Sequence, residues 1–145
     1  KFGIINLHMG ILPFYKGMDV VESPLIEGRL DCVGLTSHIM DNKIDTGPII
    51  NIYKIPSFEY NSIGSLRNEI ALIMPFLLVD SFFKLSKEKN FLKPQISLGR
   101  QYYFLHNELK KVGNEILSIK YKSKDFTRIN YFINQFIDRF NIRCE

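Results

Sequence analysis

The chain has 145 residues, 46% of them apolar and 23% charged, with a formal charge of +4. That length fits one domain of about 100–200 residues, and the composition excludes a fibre or a disordered chain. The longest apolar run, Ile70 to Val79, falls well short of the roughly 18 residues that span a bilayer, so no membrane association is expected. Two cysteines, Cys32 and Cys144, are too few for a disulfide scaffold and point to a reducing, cytoplasmic setting. The charge is uneven: residues 1–60 carry five Lys/Arg and seven Asp/Glu, residues 61–145 fourteen and eight. A basic second half is compatible with RNA or with a solvated surface. No Arg-rich run interleaved with aromatics supports a nucleic-acid platform.

In chain order, Gly3 to His8 is a nearly continuous apolar run, suited to a strand buried on both faces. Neither an initiator methionine nor a signal-peptide pattern precedes it. A chain that opens inside a core strand reads as a piece of a larger domain whose earlier strands are missing. His8 to Asp19 is a loop punctuated by Gly10, Pro13 and Gly17. Asp19 caps a helix that stops at Gly28, weakened by Pro24. Cys32 to Ile39 is a second strand, Asp41 to Gly47 a polar turn, and Pro48 to Ile55 a third strand.

A long helix then runs from Asn61 or Ser62 to Lys87, with a kink at Pro75 and apolar residues at three/four spacing. Residues 88–99 read as a loop. Short strands at Tyr102–Leu105 and Ile116–Tyr121 and an amphipathic helix at Thr127–Phe140 close the chain. The order strand, helix, strand, strand, helix predicts an α/β domain with a mainly parallel sheet over residues 1–90, and a small α+β extension over 91–145.

Asn6 and His8 lie two apart on a strand, so their side chains share a face at the strand's carboxyl end, where ligands bind in open α/β sheets. A structural reading, in which Asn6 satisfies loop backbone and His8 seals the core edge, is the more ordinary one from the pair alone. His38 ends the next strand, and Asp45 follows across the turn. A carboxylate there can orient an imidazole, hold a water, take a proton, or simply cap the turn before Gly47. His106 has a solvated context and no assigned role. No CxxC, HExxH or His-x-His spacing, phosphate loop, GxGxxG or Gly-x-Ser-x-Gly elbow occurs, and no metal site is expected. An Asn, a His and an Asp without a nucleophile suit acyl transfer between two bound molecules, with donors for a developing oxyanion and a proton relay.

Three stretches in order, Asn6-Leu7-His8-Met9-Gly10-Ile11-Leu12-Pro13-Phe14-Tyr15-Lys16-Gly17, Gly34-Leu35-Thr36-Ser37-His38 and Lys43-Ile44-Asp45-Thr46-Gly47-Pro48, resemble the formyltransferases that use 10-formyltetrahydrofolate. The resemblance covers about residues 1–85 and implies a Rossmann-like fold of that type, N-terminally incomplete. It implies that Asn6, His8 and Asp45 form the catalytic set, Asn6 and His8 stabilising the oxyanion and Asp45 positioning His8 or a water and assisting proton removal from the attacking amine. It further implies that Asp41, Asn42, Lys43, Ile44 and Asp45 meet the folate's pterin ring, with His38 lining the same pocket. Leu7, Gly10, Leu12, Pro13, Tyr15 and Lys16 would shape the acceptor side.

Met9-Gly10 replaces the Pro-Ser usual after the family's catalytic His, and His38 stands where methionyl-tRNA formyltransferases generally have Met. Ala71-Leu72-Ile73-Met74 replaces the Glu-His-x-x-Tyr-Pro motif of glycinamide ribonucleotide formyltransferases. The expected acceptor is therefore an amino sugar on a nucleotide carrier, with glycinamide ribonucleotide or methionyl-tRNA as alternatives. Of another class is a non-catalytic folate-binding or assembly module. Association into a homodimer is left open.

Overall fold

The computed structural model describes residues 3–87, 92–96 and 99–120. Its centre is a three-stranded sheet of β1 (Ile5–His8), β3 (Gly34–Ile39) and β4 (Ile49–Lys54), in the order β1-β3-β4. The α/β class holds, but the expected mainly parallel sheet does not: β1 pairs antiparallel with β3, and β3 antiparallel with β4. The connection from β3 to β4 contains no helix, and a parallel neighbour would need a crossover of a dozen or more residues. Among the described residues, parallel pairing joins only β2 (Tyr15–Gly17) and β5 (Arg100–Tyr102).

Helix α1 (Glu22–Ile26) is shorter than expected, with Pro24 in its first turn where an N–H has no helical partner anyway. The long helix α2 (Ile63–Lys87) runs through Pro75 without a break. It lays Leu66, Ile70, Ile73 and Leu77 on the sheet, where they share one core with Val33 and Leu35. Residues Asn107–Lys120 form helix α3, so the strand expected from Ile116 is helical as far as Lys120. The helix prevails there because it buries Leu117 in the main core and puts Asn114 Oδ1 2.8 Å from the Ile63 amide. Among the described residues beyond 90, Leu117 joins this core. Paired charges join the three helices: Arg67 reaches Glu22 at 2.8 Å and Asp19 at 3.5 Å, and Lys110 reaches Asp19 at 2.8 Å.

The helix expected at Thr127–Phe140 lies outside the described residues. No helix among the described residues is long and apolar enough to cross a membrane.

Candidate active site

Side chains alternate across a strand, and the register of β1 against β3 places Asn6 opposite His38 and His8 opposite Thr36. The four side chains share the sheet face turned away from α2, while Leu7 and Leu35 pack into the core. A register shift between Ser37 and His38 in the β3–β4 pairing adds a bulge next to His38, a device that re-aims side chains beside sites. Asp45 arrives from the turn between β3 and β4 in the left-handed region, with φ 55°, which Asp tolerates better than most residues. That turn lies flat on β3: a Cβ on Gly47 would collide with the Ile39 carbonyl. The Gln95 amide holds it from outside, at 3.1 Å from the Asp45 carbonyl and 2.7 Å from that of Gly47.

Asn6, His8, His38 and Asp45 converge. Asn6 Nδ2 is 3.0 Å from His38 Nε2, and His38 Nδ1 is 3.1 Å from the Ile39 carbonyl. Both contacts are satisfied when His38 carries its proton on Nδ1, leaving Nε2 to accept from the Asn6 amide. One Asn6 N–H then remains for another acceptor. His8 Nε2 is 2.7 Å from the Tyr15 carbonyl, to which it donates, and its Nδ1 faces Asp45 Oδ2 at 3.4 Å. Asp45 Oδ2 also accepts the Gly17 amide at 2.8 Å, and Oδ1 lies 3.6 Å from His38 Nε2. His8, His38 and Asp45 are 7%, 2% and 9% exposed.

Burial, the largest influence on His8, pushes its imidazole below the ordinary value; the Asp45 carboxylate and the Tyr15 carbonyl pull back without restoring it. Burial also works to raise the Asp45 carboxyl. The His38 contact, the His8 ring and the Gly17 amide outweigh it and hold Asp45 below the usual carboxylate range. At neutral pH the pair is a neutral imidazole turning a lone pair toward a carboxylate. Such a pair can take up a proton.

The loop from Gly10 to Gly17 is pinned over this cluster. Thr36 Oγ1 accepts the Leu12 amide at 3.1 Å and donates to the Gly10 carbonyl at 2.7 Å. Gly10 passes so close that a Cβ would stand 2.7 Å from His8 Nε2 and 2.8 Å from the Tyr15 carbonyl. This contact gives the Met9-Gly10 departure a physical reason. Thr36 was not singled out from sequence, although its place two residues before His38 put it on the same face. Gln95 carried no sequence signal at all.

Leu12 and Lys16 are buried, and Pro13 is half-buried. Tyr15 brings its carbonyl to the cluster, not its phenol. The ring is buried and stacks on Tyr102 at 5.1 Å, and both hydroxyls donate to Glu27 at 2.8 Å. Burial and the Glu27 carboxylate raise both phenols, that of Tyr102 to about 12. Asp41 to Ile44 are exposed; Asp41 Oδ1 shapes their turn by accepting from the Lys43 amide at 3.1 Å and the Thr46 hydroxyl at 2.6 Å.

Residues 1–80 match the profile of the family described as Formyl transferase. Methionyl-tRNA formyltransferase from Nitrosospira multiformis is 28% identical over 116 residues, covering 80% of this chain and 36% of that protein. The enzyme of the same name from Thermodesulfovibrio yellowstonii is 32% identical over 95 residues, covering 66% and 30%. The chain thus spans about a third of the length of these curated relatives. The formyltransferase PseJ from Anoxybacillus kamchatkensis, solved with UDP-4,6-dideoxy-4-formamido-L-AltNAc and tetrahydrofolate, superposes with a TM-score of 0.59. It is 26% identical, with 68% of this chain and 51% of that one covered. HypX from Aquifex aeolicus, solved with tetrahydrofolic acid, shares the fold at 13% identity and a TM-score of 0.59, with 86% of this chain and 23% of that one covered. A profile match over more than half the chain, on a fold shared with solved relatives, makes this protein a member of the formyl transferase family.

Proposed function

We propose that the protein containing this chain transfers a formyl group from 10-formyltetrahydrofolate to an amine, and that Asn6, His8 and Asp45 carry the chemistry. The observation behind this reading is the convergence of an amide, an imidazole and a carboxylate at the ends of β1 and β3. The surroundings suit a folate. Ile4, Met40 and Ile44 are large apolar side chains left exposed, Ile4 and Met40 being joined by a backbone hydrogen bond of 2.8 Å. Together they offer an apolar lip to a flat ring beside the polar cluster. The exposed turn at Asp41, Asn42, Lys43 and Ile44 offers main-chain groups to the ring's edge.

The bound folate supplies an activated formyl carbon. As an amine approaches that carbon, negative charge grows on the formyl oxygen. The second N–H of Asn6 would meet it. His8 has committed Nε2–H to the Tyr15 carbonyl, so its contribution as a donor comes from Nδ1 after protonation. Asp45, ionised and beside that nitrogen, would take the proton the amine must lose, directly or through His8, and that proton would pass to the folate nitrogen as its bond to the formyl carbon breaks and tetrahydrofolate leaves. Gly10, Leu12, Pro13, Tyr15 and Lys16 support or line the acceptor side, whereas Leu7, expected there, packs into the core on the other face of β1.

The acceptor favoured is an amino sugar on a nucleotide carrier. His38 supports this reading, standing where methionyl-tRNA formyltransferases generally have Met, as does the likeness to PseJ with its UDP-linked sugar. A methionyl-tRNA acceptor is the second reading, favoured by the curated relatives. The test incubates the parent protein and 10-formyltetrahydrofolate with UDP- and dTDP-linked amino sugars, methionyl-tRNA or glycinamide ribonucleotide. Formylation of a nucleotide-linked amino sugar alone is the expected result. Formyl-methionyl-tRNA would move the assignment to the second reading. Folate binding without transfer to any amine would leave a non-catalytic module.

A further inference from the structure

His8 keeps its proton on the nitrogen that faces the weaker acceptor. Its Nε2 lies 2.7 Å from the Tyr15 carbonyl, and its Nδ1 lies 3.4 Å from the Asp45 carboxylate. A proton on Nδ1 would make a charge-assisted bond to Asp45, which is stronger than a bond between neutral groups. Moving it there would set the bare Nε2 lone pair against a carbonyl oxygen 2.7 Å away. Two acceptors at that distance with no proton between them repel. The Tyr15 carbonyl therefore selects the tautomer, and it does so only while it is held in place.

The backbone hold on Tyr15 is slight. Its amide donates to the Ile11 carbonyl at 3.0 Å, and β2, only three residues long, pairs with β5 alone. So short a two-stranded sheet has little stability of its own. The ring supplies the rest. It is buried, stacks on Tyr102 at 5.1 Å and donates its hydroxyl to Glu27 Oε2 at 2.8 Å, while the Tyr102 hydroxyl donates to Oε1 at 2.8 Å. One carboxylate thus takes a tyrosine from each strand, one oxygen apiece. Glu27 itself caps the end of α1, where its amide donates to the Ser23 carbonyl at 3.1 Å. Arg100 completes the group, 3.8 Å from Glu27 Oε1 with its guanidinium 5.2 Å from the centre of the Tyr102 ring.

We propose that Glu27 is a positioning residue for His8. Through the two tyrosines it ties β2 and β5 to α1, keeps the Tyr15 carbonyl on Nε2, and so leaves Nδ1 unprotonated toward Asp45. The consequence for turnover rests on the reading of His8 and Asp45 as the pair that takes the amine's proton; the tautomer does not depend on that reading.

The test is nitrogen NMR of isotope-labelled histidine in the parent protein, where the shifts of the two ring nitrogens report which one carries the proton. His8 is assigned by the signals lost in His8→Gln. At a pH where the imidazole is neutral, native His8 is expected almost wholly as the Nε2–H form. Glu27→Ala and Tyr15→Phe should each raise the ratio of Nδ1–H to Nε2–H on the order of tenfold, the equivalent of one hydrogen bond lost. Together they should do no more than either alone, because both break the same contact. Glu27→Gln, which still accepts from one hydroxyl and donates to the other, should keep the native form. An unchanged tautomer in Glu27→Ala and Tyr15→Phe, or effects that add in the double variant, would overturn the proposal. Should Glu27→Ala fail to fold, Tyr15→Phe, which deletes one hydroxyl from a retained ring, decides alone by the same criterion. Single-turnover transfer in these variants keeps the two readings apart. A rate that falls with the Nε2–H share supports both. A shifted tautomer with no loss of rate supports the role of Glu27 and removes His8 from the reaction.

Discussion

The two faces of the β1–β3–β4 sheet both bury polar groups, and they use them in opposite ways. Toward α2, Asn51 and Tyr53 donate to Asp80, Lys84 reaches Asn51 Oδ1 at 2.7 Å, and the Ser81 hydroxyl donates to that of Ser37 at 2.7 Å. That network joins a helix to a sheet. On the other face, Asn6 keeps an N–H beyond its bond to His38, and His8 turns an unprotonated nitrogen toward Asp45. Buried polar groups are normally satisfied; a cluster that keeps capacity in hand, beside an exposed turn, is where a reacting molecule gains most. The same strands thus carry one polar set that ties a helix to the sheet and another, the open face, that keeps bonding capacity beside an exposed turn.

Substitutions on each side should separate the two. The largest effect belongs to the open face: Asn6→Ala removes the donor proposed for the formyl oxygen and should lower transfer about 100- to 1,000-fold, measured as single-turnover rate, with little change in the denaturation midpoint. Next comes the core behind it. Leu35→Ala empties a fully buried position and should cost about 2–5 kcal/mol in urea unfolding, while the rate per folded molecule holds. Asp80→Ala strips Asn51 and Tyr53 of a shared acceptor and should cost about 1–3 kcal/mol, again without a specific loss of rate. Were Asp80→Ala as damaging to turnover as Asn6→Ala, the contrast between the faces would fail.

The smallest effect is in pH. The folded His8 titrates below its ordinary value of 6.5, so between the two values the unfolded chain binds more protons and stability rises with pH. His8→Gln should flatten that rise in denaturation midpoints taken across the window just under 6.5. An unaltered slope would mean that His8 is not held neutral by burial.

Much of the open face was legible in the sequence, because strand periodicity alone sets Asn6 and His8 together and the Asp-Thr-Gly turn announces its own geometry. What was not legible is long-range. Nothing local to Tyr15–Gly17 tells of its pairing with Arg100–Tyr102, which draws the Tyr15 phenol to Glu27 and leaves only its carbonyl for His8. The antiparallel sheet escaped because the run Gly3–His8, apolar enough for a parallel core strand, says nothing of its neighbour's direction. The strand expected near Ile116–Tyr121 gives way to helix because Ile116 and Ile119, β-branched residues three apart, fit either element until Leu117 finds its place in the main core.

The most direct test of the central claim is Asp45→Asn in the parent protein. Asparagine tolerates the left-handed backbone at this position and still accepts the Gly17 amide, yet it carries no charge and takes no proton. Single-turnover transfer from 10-formyltetrahydrofolate should fall by about 100-fold or more while unfolding stays near that of the native protein. An undiminished rate in this variant would contradict the assignment of proton removal to Asp45 and His8.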